Sequence, residues 1–174
     1  MLRVAAYNRE MTWRPDLTVA AVVERDGRFL VVEERIGGRL VLNQPAGHVE
    51  DGETMAEAVI RETREETAWG FTPTALLGCY LWRNPRNGRT TLRVAFHGSV
   101  DGHRPEQPLD RGIHAVHWRS RAELLAAPDR LRSPLVVRCI DDYLAGVSFE
   151  LAALQSLIEP LEPTVLTPAR RQGS

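Results

Sequence analysis

Between Gly47 and Trp69 the sequence GHVEDGETMAEAVIRETREETAW sets acids at 50, 51, 53, 57, 62, 65 and 66 against two arginines, Arg61 and Arg64. Glu62 and Glu66 are four residues apart and Glu65 lies three beyond Glu62, so on a helix all three share a face within about one turn. Like charges at these spacings cost roughly a few tenths of a kcal/mol per pair unless something positive sits between them. Hard oxygen ligands on a rigid scaffold, with room left for water and phosphate oxygens, suit Mg²⁺ or Mn²⁺. The same run also reads as a solvated acidic helix face, which is what most acidic runs are.

A helix is what must present them. Thr54 with Glu57 three residues later is a capping box that starts one, and Ala56, Ala58, Val59 and Ile60 supply propensity and an apolar side. Just upstream, Pro45-Ala46-Gly47 bends the chain so that backbone carbonyls can face that helix.

The order Gly47, five residues, Glu53, seven residues, Arg61-Glu62, two residues, Glu65-Glu66 resembles the signature box of the Nudix hydrolases, which cleave nucleoside diphosphates linked to another moiety. Two positions depart from it: Thr63 stands where an aliphatic residue is usual, and Ala68 where the family has glycine. Glycine there would cap the helix in the left-handed conformation, so with alanine the helix is expected to overrun to Gly70. FLVVEE at 29 to 34, LNQPAGHVE at 42 to 50 and LRSPLV at 131 to 136 are similar to the NudJ-type branch, phosphatases of nucleoside tri- and diphosphates and of a thiamine-precursor pyrophosphate.

The resemblance implies a Mg²⁺-dependent site, with Mn²⁺ as the alternative. Glu62, Glu65 and Glu66 would hold the ion together with a bend carbonyl, that of Ala46, or of Gly47 if the register differs. A carboxylate, Glu62 or Glu65, would accept the proton of the attacking water. Arg61 would orient Glu53 and tie the box's loop to its helix; its other reading is an ordinary helix ion pair. Many relatives bring a further acid from the loop before the strand that ends in a tryptophan. At that position, six before Trp118, this chain has Gly112, and Asp110 is the nearest substitute.

Arg28, Arg35, Arg39, Arg83 and Arg93 lie on expected strands or adjoining loops, where they could reach phosphate or simply carry surface charge. Trp82 and Tyr80 could stack on a base or pack in the core. All 22 basic residues are arginine, which excludes a P-loop lysine and Schiff-base chemistry and leaves guanidinium forks for phosphate.

The rest of the chain is ordinary. Its 174 residues suit one domain, and 43% hydrophobic with 26% charged residues is globular composition. A net charge of -1 gives no electrostatic reason to expect nucleic acid or an anionic membrane as partner. Cys79 and Cys139 lack metal spacing and read as buried reduced thiols. No apolar run reaches transmembrane length and no secretory signal is visible, so a cytoplasmic enzyme acting on a small nucleotide or pyrophosphate is expected, as monomer or homodimer.

Residues 1 to 16 read as a lead-in, with Tyr7 and Trp13 packing on the surface, 17 to 150 as the catalytic domain, and 151 to 174 as a tail with a short helix and then disorder. Within the domain, TVAAVVE and RFLVVEE form a hairpin about Asp26-Gly27, Gly37-Gly38 turns into a short strand at 40 to 42, and Pro73 ends any helical overrun. Strands follow at 75 to 82, 90 to 100 and 113 to 118. Ser120 with Glu123, then Ser133 with Pro134, open two helices. This order is mixed α/β, and the resemblance implies a Nudix α/β/α sandwich with a mixed β-sheet. The alternatives kept beside a phosphate-releasing hydrolase are an ADP-ribose or nucleotide-sugar pyrophosphatase and a non-catalytic nucleotide-sensing domain of the same family.

Overall fold

Strand β1 (Asp16–Arg25) has a period of two that divides its apolar residues between two faces. Val19, Ala21 and Val23 enter one core and Val22 the other. The computed structural model describes residues 13 to 158. Asp26 and Gly27, at φ 53° and 74°, form the two-residue turn into β2 (Arg28–Ile36), because only positive φ at both positions matches the twist of a tight hairpin. Gly37 and Gly38 repeat the device into β3 (Arg39–Asn43).

Pro45 makes the expected bend, but Ala46 and Gly47 are not part of it. They open a three-residue strand, β4 (Ala46–His48), antiparallel to β1. Helix α1 (Met55–Thr67) follows, then the long antiparallel pair β5 (Gly70–Arg83) and β6 (Thr90–Asp101), then β7 (Ile113–Arg119), α2 (Arg121–Leu125) and α3 (Leu135–Leu144).

The seven strands form one mixed sheet in the order β3-β2-β1-β6-β5, with β4 added on β1 and β7 on β2. β1 and β6 run parallel at its centre. Ala58 and Val59 of α1 pack with Val19, Val94 and Phe96 on one face. Leu124 of α2 and Val136, Cys139 and Ile140 of α3 pack with Val22, Val31 and Ala95 on the other. Helices on both faces of a mixed sheet are the α/β/α sandwich that the resemblance implied. Among the described residues no helix is long and apolar enough to cross a membrane.

The structure departs from several local expectations. The helix stops at Thr67 rather than running to Gly70, and Pro73 lies inside β5, an edge strand, beside a register shift. An edge tolerates proline because the missing N–H would have pointed away from the sheet. Pro134 is the cap of α3 rather than its first residue, with the Ser133 hydroxyl accepting from Leu135 N–H at 3.3 Å. Cys139 is buried but Cys79 is exposed. Instead of the expected helix after residue 150 there is a single 3₁₀ turn, Leu151–Ala153; Leu151 and Leu154 pack on the first core, and Phe149 exchanges two backbone hydrogen bonds with Leu76. Trp13 is exposed; Tyr7 and the expected disorder of the last dozen residues lie outside the described residues.

Candidate active site

The site is built where α1 crosses β4. Residues of an antiparallel strand alternate between pairing with the neighbour and turning both peptide groups away. Pro45 C=O accepts from Ala21 N–H at 2.9 Å and Val49 N–H donates to Leu17 C=O at 3.4 Å, so the odd-numbered residues face β1. Ala46 and His48 therefore direct their backbone groups at α1: Ala46 N–H donates to Glu66 Oε2 at 2.8 Å, and His48 C=O accepts from Arg61 Nη2 at 3.0 Å. The carbonyl of Ala46 lies on that side as well.

Gly47 explains why this crossing is so close. A Cβ there would stand 2.1 Å from Glu62 Cδ and Oε1 and 2.2 Å from Oε2. The carboxylate of Glu62 occupies the volume a side chain at 47 would take, so glycine is required for approach rather than for a turn.

Helix α1 is held at both ends. Thr54 and Glu57 form the reciprocal capping box, with Thr54 Oγ1 accepting from Glu57 N–H at 3.2 Å and Glu57 Oε2 from Thr54 N–H at 2.8 Å. Buried Thr63 satisfies its hydroxyl on Val59 C=O, which is how a polar residue is accommodated in an apolar position of the box. At the other end Ala68 itself adopts the left-handed cap at φ 59°, a conformation that costs an L-residue about 1 kcal/mol or more. The loop before β7 stabilises it: Arg104 N–H reaches Ala68 C=O, Gln107 Nε2 reaches Arg64 C=O, and Asp110 N–H reaches Glu65 C=O, at 2.8 to 3.0 Å.

Arg61 uses every donor it has. Nε and Nη2 grip Glu53 at 3.0 and 2.6 Å, Nη2 also reaches His48 C=O, and Nη1 donates to Glu62 Oε1 at 2.9 Å and Glu65 Oε2 at 3.1 Å. Five N–H groups meet five acceptors, so Arg61 is more than a helix ion pair. Its hydrogen bonds hold the Glu53 carboxyl below the usual carboxylate range, and those acids in turn raise the pKa of the guanidinium.

Burial disfavours the charged forms of Glu66, Glu62 and Glu34. Burial pushes the Glu66 carboxyl up to about 8, and Glu62, Glu34 and Asp110 add repulsion against the single opposing hydrogen bond from Ala46. Burial likewise raises Glu62, only partly offset by Arg61, and raises Glu34. Asp110 thus acts on both Glu62 and Glu66, whereas Gly112, at φ 108°, serves the backbone by accepting Arg35 N–H at 2.9 Å.

A cleft of about 320 Å³ opens beside Ala46, Gly47 and His48 and is lined as well by Arg93 and Arg132. Glu34 was not visible in the sequence as a partner of this site, whereas Arg93, one of the arginines expected to reach phosphate, does line its cleft. Arg93 is only 5% exposed, held by Gln44 Oε1 at 3.2 Å and Asn43 Oδ1 at 3.4 Å, with its Nε without a hydrogen-bond partner. Glu34 Oε1 is also buried without a hydrogen bond, though Arg132 Nε stands 3.6 Å away. Of the arginines expected near phosphate, Arg28 is not brought here: it pairs with Glu123 at 2.9 Å at the far end of the hairpin. Arg35 is exposed and lines neither cleft, and Arg39 donates to Asp129 C=O at 3.0 Å and lines a second cleft next door. Tyr80 belongs to the second core and donates to Asp142, while Trp82 faces the clefts.

The donor set fits a hard divalent cation: carboxylates of Glu62, Glu65 and Glu66, a carbonyl at Ala46, a close approach of β4 and α1 that glycine permits, and a buried Glu34 oxygen without a hydrogen bond. In the arrangement seen, Glu62 and Glu65 turn to Arg61 and Glu66 to Ala46 N–H, and no three acidic or imidazole side chains among the described residues converge at ligating geometry.

Comparison with known proteins agrees with this architecture. Phosphatase NudJ of Escherichia coli strain K12 is 38% identical over 154 residues, 88% of this chain and 99% of that protein. A NUDIX hydrolase structure from Nitrosomonas europaea superposes with a TM-score of 0.80 at 45% identity, covering 82% of this chain and 97% of its own. The NUDIX domain of Shewanella oneidensis NrtR shares the fold at a TM-score of 0.64 and 17% identity, over 83% of this chain and 96% of that one. The NUDIX domain model matches residues 14–138, spanning the β4–α1 crossing and the sheet that supports it. This chain therefore belongs to the Nudix family and is a NudJ-like hydrolase of phosphorus-containing acid anhydrides.

Proposed function

We propose that this chain is a Mg²⁺-dependent hydrolase, with Mn²⁺ as a substitute, that cleaves a phosphoanhydride bond of nucleoside tri- or diphosphates or of a small pyrimidine pyrophosphate, releasing phosphate. The observation that carries the reading is the packing of the buried Glu62 carboxylate on Gly47 and of Glu66 on Ala46 N–H, beside a cleft that Ala46, Gly47 and buried Arg93 line together. Buried acids that repel one another are arranged for a cation, and a buried guanidinium without a carboxylate hydrogen bond is arranged for an anion.

Glu62, Glu65, Glu66 and the Ala46 carbonyl would hold the ion, which when bound neutralises phosphate charge and lowers the pKa of water. Asp110 supplies the acid for which Gly112 has no side chain. Glu53 and Arg61 fix β4 to α1 so that these oxygens keep their places. Arg93 and Arg132, which line the same cleft as Ala46, grip phosphate oxygens. Glu62 or Glu65 takes the proton of the attacking water, and the burial that raises Glu62 suits it to that task.

The second reading is an ADP-ribose or nucleotide-sugar pyrophosphatase, favoured by the adjoining cleft of about 640 Å³, which offers room for a larger substrate. The NrtR domain was crystallised with ADP ribose, at an identity too low to carry substrate choice. A nucleotide-sensing domain without catalysis is disfavoured because Glu53, Arg61, Glu62, Glu65 and Glu66 are all in place. The test is to measure orthophosphate against pyrophosphate release, with and without Mg²⁺, from nucleotides, ADP-ribose and the pyrimidine pyrophosphate. Metal-dependent orthophosphate release from nucleoside di- and triphosphates is expected; cleavage confined to ADP-ribose selects the second reading.

A further inference from the structure

The second cleft is continuous with the first. Ile36, Trp82, Asn84, Asn87, Arg132 and Ser133 line both, so a molecule with its phosphates against Arg93 can extend outward without crossing a wall. The walls change character along that path. Near β4 they are charged, whereas further out Val41, Leu131, Pro85, Pro128 and Pro134 join Ile36 and Trp82.

The loop between β5 and β6 sets the polarity of the outer rim. Asn84 Oδ1 accepts Arg86 N–H at 2.9 Å, and Asn87 Oδ1 accepts Arg89 N–H at 3.0 Å. A backbone N–H can be met only by the carboxamide oxygen, so both amides are oriented and what each has left is its NH₂ group. The rim therefore offers donors, beside the guanidinium of Arg86, around a floor that contains an indole.

We propose that the outer cleft seats the flat nitrogen heterocycle of the substrate, with Trp82 as its stacking face and the amide N–H groups of Asn84 and Asn87 meeting carbonyl or ring-nitrogen acceptors on its edge. The assignment rests on the reading that the inner carboxylates act on a phosphoanhydride, and it selects substrates in which an aromatic ring is joined to that anhydride. An aromatic face tolerates any base, so Trp82 governs affinity for the ring, and the donor rim governs which edge is accepted.

The test compares a nucleoside triphosphate, as substrate, with inorganic tripolyphosphate, as competitive inhibitor lacking a ring. Trp82→Ala is expected to raise the nucleotide KM about tenfold with kcat kept, and to leave the tripolyphosphate Ki unchanged. Trp82→Phe retains a stacking face and should stay near the wild-type KM. Asn87→Asp keeps the bond from Arg89 N–H while replacing the donor by an acceptor, so its nucleotide KM should rise by more than its tripolyphosphate Ki. Independently of turnover, a non-hydrolysable nucleotide should quench tryptophan fluorescence in the wild type and not in Trp82→Phe. An unchanged nucleotide KM in Trp82→Ala, or an equal loss for tripolyphosphate, overturns the seat while leaving the hydrolase reading intact. Quenching that depends on Trp82 in a protein that hydrolyses no anhydride leaves the seat standing and overturns the reading beneath it.

Discussion

Replacing Gly47 by alanine tests the site at its tightest point. Ordinary van der Waals contact begins near 3.4 Å, and the new Cβ would lie 2.1 Å from Glu62 Cδ and Oε1, so the carboxylate must retreat by about 1.3 Å. The backbone at 47 has no positive φ, and alanine itself is not strained there. The displaced group is the end of a flexible side chain, so the fold should survive with the loss of roughly one charged hydrogen bond, that from Arg61 Nη1, or about 1.5 to 3 kcal/mol. For a domain of this size that is a fall in Tm of about 3 to 12 °C. Chemistry is less forgiving, since a misplacement of about 1 Å in a catalytic constellation can cost on the order of 100-fold in rate. The assay is steady-state phosphate release over a Mg²⁺ titration, paired with a thermal melt. A kcat/KM within about threefold of wild type would refute the claim that Glu62 must lie against β4, and a collapse of the fold would refute the claim that only the carboxylate yields.

Glu66→Gln preserves an acceptor for Ala46 N–H but removes a charge. Turnover should fall nearly to background while the metal-free protein melts no lower than wild type; full activity removes Glu66 from the mechanism. The Glu66 carboxyl also predicts a pH dependence. Folded, it keeps its proton up to about 8, whereas unfolded it releases it near 4.5, so its contribution to stability is complete below that lower value, drains across the interval and is gone above about 8. Melts of metal-free protein should therefore fall between about pH 5 and pH 9 more steeply than those of Glu66→Gln, and Mg²⁺ should flatten the difference. Ala68→Gly relieves the left-handed cap and should raise Tm by about 2 to 4 °C with activity unchanged; a lower Tm would mean that the alanine is not strained.

The elements decided by local chemistry were legible in the chain. Asp26-Gly27, Gly37-Gly38, the Thr54/Glu57 box and the Ser120/Glu123 box each stand where their residue types demand, because turn and cap energetics act over four residues. The order of the acids around Gly47 disclosed the family for the same reason. What escaped depends on contacts between distant segments. Ala68 should have let the helix continue, and only the loop that brings Arg104, Gln107 and Asp110 onto its last carbonyls shows why it stops. Arg28 and Arg93 both sit on strands and look alike in sequence. The first is spent at the hairpin end on Glu123, and the second is buried opposite Thr18 in the parallel register of β1 and β6, which no local pattern discloses. Glu34, hidden at the end of an apolar run, was invisible for the same reason.

The three residues of β4 have a consequence for how this scaffold can diversify. One edge of that short ribbon is bonded to β1 and the other to α1, while the hairpin tip at 84 to 88 reaches the same groove through Asn84 and Asn87. On the proposed seat, changes at that tip would alter which ring is accepted without touching the bonds that join β4 to α1.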